Sequence, residues 1–241
     1  MGRICNILKK YVSSFNNTSH FYFIESGKMQ SLIFTIVFFF SFFSFSQTKS
    51  DNYEIYSSVL NGIIEEWFDE SLNSVVIIEK YDDRNKLDLS LVTELTKDSI
   101  EPFTLDWLFK YGDTVIQNRF KNDKKLKKAI AGLTQNFEVH PRIEPNLLRL
   151  KEIAVQTMTL DKFYSFLHKG KRYRKNAWKR IKKKYGTDLV FQLSRVNYLD
   201  KYATFYYSYH CGGLCGSGNF VVMEKINGEW KILKSFQLWV S

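Results

Sequence analysis

The sequence predicts an α+β fold: an N-terminal amphipathic helix and further helices packed on one face of a mainly antiparallel sheet, which ends in a three-stranded C-terminal meander. Three observations predict it. Tyr53, Tyr56, Val59, Leu60, Ile63, Ile64 and Trp67 recur at three- and four-residue steps, which puts them on one helix face. Residues 74–80, S-V-V-I-I-E-K, are β-branched and apolar, as a buried strand requires. Strands at 202–210, 219–226 and 229–240 follow one another, the last two joined by Asn227-Gly228. That dipeptide is a strong hairpin signal because both turn positions need positive φ.

The N-terminus reads as a leader. Residues 32–46 form an uncharged apolar run of 15 residues, shorter than the ~20 that a spanning helix needs and right for a secretory core segment. Lys28 precedes it, with Arg3, Lys9 and Lys10 further upstream, and Ser44 and Ser46 occupy the −3 and −1 positions of a cut before Gln47. Residues 29–46 are therefore read as a signal peptide, and residues 1–28 as a leader extension or a start assigned too early. An uncleaved anchor is the alternative. Ten of the 21 Phe fall in residues 1–46, so the aromatic excess belongs largely to targeting. Residues 47–241 are read as a single domain with no transmembrane helix, periplasmic or extracellular after cleavage.

The remaining elements follow in order. The spacing predicts a helix over 51–68 with Asp51 as a reasonable N-cap. A short helix around Leu105, Leu108 and Phe109 and a Lys-rich helix over 121–131 are weaker expectations. Pro141 and Pro145 bracket a loop, and 152–157 forms a strand. Thr159 caps a helix that runs through Leu167 and stops at Gly170. A basic helix at 174–185 closes at Gly186, and strand 188–194 leads into the meander. In strand 202–210, Ala203, Phe205, Tyr207 and Tyr209 oppose Thr204, Tyr206, Ser208 and His210. In strand 229–240, Trp230, Ile232, Phe236, Leu238 and Val240 are expected on one face.

Charge is unevenly spread. Residues 51–115 carry 15 acidic and 5 basic side chains, whereas residues 116–184 carry 5 acidic and 20 basic. The stretch 169–184, K-G-K-R-Y-R-K-N-A-W-K-R-I-K-K-K, holds ten basic residues and no acid. Lys171, Arg172, Arg174, Lys175, Lys179, Arg180, Lys182, Lys183 and Lys184 are the candidate polyanion-binding set. An anionic envelope polymer, a lipid headgroup or a protein partner would suit it. Nucleic acid is disfavoured, since no base-reading motif accompanies the run and an exported protein meets little of it. The opposing view is a solvated helix, because Trp178, Ile181 and Tyr185 share one face and leave the cations outward.

One motif could carry chemistry: residues 210–218, H-C-G-G-L-C-G-S-G. Three readings compete. Cys211 and Cys215 could form a disulfide, favoured by export and by glycines that let the loop close. The two thiolates with His210 could hold a metal if His140 or His168 supplied a further ligand. A lowered thiol pKa could support redox or nucleophilic work, but the two Cys are separated by three residues and no helix follows. The glycines are not a phosphate cradle, because a strand rather than a helix comes next. No H-E-x-x-H, G-x-S-x-G or P-loop is present. No catalytic residue, metal site or cofactor is therefore assigned.

The segments L-S-R-V-N-Y at 193–198 and A-T-F-Y-Y-S-Y-H-C-G-G-L-C-G-S-G-N-F-V-V-M-E-K-I-N-G-E-W-K-I at 203–232 resemble the end of a group of exported bacterial proteins without an established activity. In that group an S-R-V strand precedes C-G-x-L-C-G-x-G, or a Cys-free version, and then a G-x-W hairpin. Asn197 stands where the group usually has Gly, and Gly186 where it often has Pro. The resemblance implies export. Its Cys-free versions imply that the cysteine pair is not universally required, which counts against thiol catalysis. The expected function is non-enzymatic binding in the bacterial envelope, with thiol- or metal-dependent activity at His210, Cys211 and Cys215 as the alternative.

Overall fold

A computed structural model describes residues 51–68, 72–81, 88–100, 109, 114–135, 142–167 and 176–241. Helix α1 covers 51–67. Strand β1 (Ser74–Ile78) follows, then helices α2 (Ser90–Glu94), α3 (Thr114–Asn122) and α4 (Lys124–Gln135). A 3₁₀ turn at Pro145–Leu147 leads to β2 (Ala154–Met158), α5 (Leu160–Leu167) and α6 (Ala177–Tyr185). Strands β3 (Val190–Leu193), β4 (Asn197–Leu199), β5 (Tyr202–His210), β6 (Gly216–Ile226) and β7 (Glu229–Val240) complete the chain.

The strands form one mixed seven-stranded sheet in the order β2-β1-β3-β5-β6-β7, with β4 also paired to β5. β1 runs parallel to β2 and β3. The other pairings are antiparallel, and β5–β7 is the meander that the sequence predicts. The hairpin turn has Asn227 at φ 54° and Gly228 at φ 90°. Both signs suit a turn matching the right-handed twist of its strands.

Helices cover both faces of the sheet, not one. Side chains alternate along a strand, and here both sets are apolar. Val75, Ile77, Phe191, Phe205, Val221 and Met223 pack on one face against Ile55, Tyr56, Val59, Leu60 and Ile63 of α1. On the opposite face, Val76, Ile78 and Val190 meet Phe163 of α5 and Ile181 of α6. Further along that same face, Tyr202, Tyr206, Phe220 and Val222 meet Phe120 of α3 and Leu126, Ile130 and Leu133 of α4. Burying each of these large side chains contributes about 1.5–3 kcal/mol before the entropy of ordering it.

Strand β7 also departs from expectation. Trp230 joins the α1 face, whereas Phe236 and Leu238 join the α4 face. The cause is the register shift between β6 and β7 at Val222/Met223; a second shift, at Gly218/Asn219, puts Trp239 on the same face as Phe236. Each bulge adds a residue and flips the following side chains to the other face.

Charged groups tie α3 and α4 to the sheet. Arg119 Nη2 donates to Tyr202 Oη (3.0 Å) and to Glu224 Oε1 (2.8 Å), and Lys201 Nζ lies 2.7 Å from the same carboxylate oxygen. Tyr202 Oη donates to Asp123 Oδ2 at 2.6 Å. Burial alone would raise the Glu224 carboxyl, but the hydrogen bonds from Lys201 and Arg119 outweigh it and hold its pKa below the ordinary value. Each of these polar groups has a partner inside the network, so it reads as a structural tie rather than an open site.

Candidate functional site

The motif at 210–218 spans the last residue of β5, the turn at 211–215 and the first three residues of β6. Cys211 N–H donates to Cys215 O at 2.9 Å, which continues the β-ladder that ends with His210 opposite Gly216. This places the two cysteines across from each other, with Cα atoms 5.1 Å apart and sulfurs at disulfide-bonding distance. Gly212 at φ 144° lets the three intervening residues reverse direction. Leu214 stands at the tip, 90% exposed.

His210 ends β5 on the α5/α6 side of the sheet. Its ring stacks on Trp239 of β7, with centroids 5.4 Å apart and planes 29° apart. Phe163 of α5 and Trp178 of α6 lie 5.8 and 6.3 Å from it. Burial among these rings lowers the imidazole pKa from its ordinary value. Trp239 reaches His210 by lying across β6, where residues 216 and 218 have no side chains. A Cβ at Gly218 would overlap the Trp239 indole and the Tyr206 hydroxyl, and one at Gly216 would come within 3.0 Å of Tyr209 O. Trp239 Nε1 then donates to Tyr206 Oη at 2.8 Å. The glycines of the motif thus do different work: Gly212 shapes the turn, and Gly216 and Gly218 form the floor of an aromatic stack.

With both sulfurs in the pair, neither cysteine presents a thiolate for metal binding or nucleophilic attack. Among the described residues, no set of three His, Cys, Asp or Glu side chains is placed to hold a metal ion. His140 and His168, the suggested further ligands, lie outside the described residues.

Comparison with known protein families, curated proteins and solved structures found no match. The site must therefore be read from its own residues.

The basic segment is only partly described: Lys171, Arg172, Arg174 and Lys175 lie outside the described residues. The rest belongs to α6, whose inner face is as predicted. Ile181 is fully buried, and Trp178 and Tyr185 are partly buried against the same cluster. Gly186 ends the helix in the left-handed region at φ 74° and donates to Lys182 O. Lys179, Lys182, Lys183 and Lys184 are exposed. Arg180 behaves differently: its Nη2 donates to Phe166 O at 2.8 Å and ties α6 to α5. Lys184 Nζ sits 5.1 Å from the Tyr185 ring. None of the four exposed lysines is in an ion pair among the described residues.

Proposed function

We propose that this chain is an exported protein of the bacterial envelope and that its folded part binds an anionic partner through the outer face of α6, without catalysing a reaction. The single observation that carries the reading is the division of α6. Trp178 and Ile181 anchor the helix to the sheet, while Lys179, Lys182, Lys183 and Lys184 stand exposed without carboxylate partners among the described residues. Acids at i±3 or i±4 would pair with these lysines along the helix surface. Here residues 169–184 contain none. The apolar leader core at 32–46 and the cysteine pair support export, since disulfides persist in oxidising compartments.

The test uses immobilised inorganic polyphosphate as the polyanion. The chain should be retained at about 50 mM salt and released as salt rises, as binding by charge demands. Replacing Lys179, Lys182, Lys183 and Lys184 together by Gln should abolish retention and leave the circular dichroism spectrum unchanged. Retention equal to that of the parent would refute the role of α6. Arg180 is left in place because it holds Phe166 O.

A further inference from the structure

Three of the most exposed large apolar side chains lie at one end of the sheet: Trp67 (65% exposed), Leu214 (90%) and Val240 (71%). The strand registers place them there. Leu214 tips the β5–β6 turn. Two residues beyond Cys215, Ser217 pairs with Tyr209 on one side and Val240 on the other. Phe68, next to Trp67, packs its ring 5.8 Å from Tyr209. Neighbouring strands are about 4.8 Å apart, so the three side chains sit around one rim.

The last turn of α6 reaches the same end. Ser74 Oγ, at the start of β1, donates to Tyr185 O (3.1 Å), and Gln156 Nε2 donates to it at 2.6 Å. The register from Val76 through Val190 to His210 carries this end of β1 across to the β5–β6 turn. Lys182, Lys183 and Lys184, immediately before Tyr185, therefore flank the rim that bears Trp67, Leu214 and Val240.

We propose that this rim docks on an anionic lipid bilayer, with Leu214 and Trp67 entering the interface and Lys182, Lys183 and Lys184 meeting the headgroup phosphates. Charge complementarity chooses this occupant over a second copy of the chain, since two copies meeting by this rim would bring their lysines together. A free polyanion would satisfy the lysines and leave the apolar tips in water. A bilayer accommodates both, because its interface takes apolar and indole side chains beside a negative surface. The disulfide and the adjoining ladder hold Leu214 out on a constrained tip, so its insertion costs little further ordering. Glu65 and Glu66 are exposed beside Trp67, Asp69 and Glu70 follow in the sequence outside the described residues, and this negative charge opposes the docking. This inference rests on the reading of α6 as an anion-binding face and names its partner.

The test mixes the full chain with phosphatidylcholine vesicles containing about 30 mol% phosphatidylglycerol, a surface that attracts lysines. Acyl chains brominated near the headgroup should quench tryptophan emission, and Trp67→Phe should remove that quenched component. Leu214→Asp should weaken the quenching isotherm at least about tenfold and leave polyphosphate retention unchanged. Glu66→Gln should strengthen it. Vesicle binding that is indifferent to Leu214→Asp, with no quenching of Trp67, would overturn the bilayer assignment while sparing the α6 reading. Failure to bind either vesicles or polyphosphate would overturn both. Light scattering that showed a dimer dissolved by Leu214→Asp would assign the rim to a second copy and also overturn the proposal.

Discussion

His210 shows how one side chain can link the turn to the stability of the domain. It is packed by Trp239, Phe163 and Trp178, and burial lowers its pKa. The unfolded chain takes up this proton near the ordinary histidine pKa of ~6.5, whereas the folded chain takes it up at lower pH. Between those values the unfolded state binds more protons, so stability rises with pH. The contribution of the neutral ring is complete above ~6.5 and is lost as pH drops through the folded value. The urea midpoint should therefore fall on acidification through this window, with a His210 share of at most ~1.4 kcal/mol per pH unit. His210→Phe keeps the stack and cannot titrate, so its curve should be flatter by that share. Parallel curves for parent and variant would show that His210 is not the group responsible.

At the scale of elements, the junction of α3 and α4 depends on Asp123. Its Oδ1 accepts from Lys125 N (2.9 Å) and Leu126 N (3.0 Å), which caps α4, while Oδ2 accepts from Tyr202 Oη. Burial by itself would raise the Asp123 carboxyl, but the Tyr202 hydrogen bond and the two backbone N–H groups hold it below the usual range. Asp123→Ala should cost about 1–3 kcal/mol, from the lost cap and an unpartnered Tyr202 hydroxyl. Asp123→Asn keeps the oxygen that caps α4 but puts an NH2 donor where Oδ2 accepts from Tyr202, so it should cost less than Ala by the value of the cap, read from chemical denaturation with an unchanged m-value. Equal losses in the two variants would mean that the carboxylate's charge and its bond from Tyr202, rather than capping, dominate.

This junction also marks where legibility ended. The Lys-rich stretch was readable as helical, but Thr114–Asn122 buries only Phe120 and gives almost no apolar period. α1, the inner face of α6, and the bounds of β5 and β7 were legible because local alternation or helical spacing encodes them. Thr159 was legible too: its Oγ1 accepts from Lys162 N at 3.2 Å, as a cap should. The parallel pairing of β1 with β2 and β3 joins residues far apart in sequence, and strand periodicity does not say which strand lies beside which. The bulge at Val222/Met223 likewise leaves no local sign, so alternation alone puts Phe236 on the same face as Trp230. At the site, the Cys pair and glycines were visible. The second glycine pair acquired its purpose only through Trp239, which arrives from two strands away.

For the whole molecule the disulfide matters chiefly through the unfolded chain. Cys211 and Cys215 are four residues apart, and closing so short a loop restricts few unfolded conformations. The chain-entropy relation gives about 2 kcal/mol. Folding does not hinge on it, because the ladder at the turn has its own backbone hydrogen bond and the core on both sheet faces lies elsewhere. Replacing both cysteines by Ser should therefore leave a cooperative transition with a similar m-value. A domain of this size loses roughly 2–4 °C in Tm per kcal/mol, so the midpoint should drop by about 4–8 °C. The parent treated with a dithiol reductant should follow the same curve as the double variant. A variant that unfolds without a cooperative transition would show that the turn nucleates the meander, and that the pair is a condition of folding rather than an increment to it.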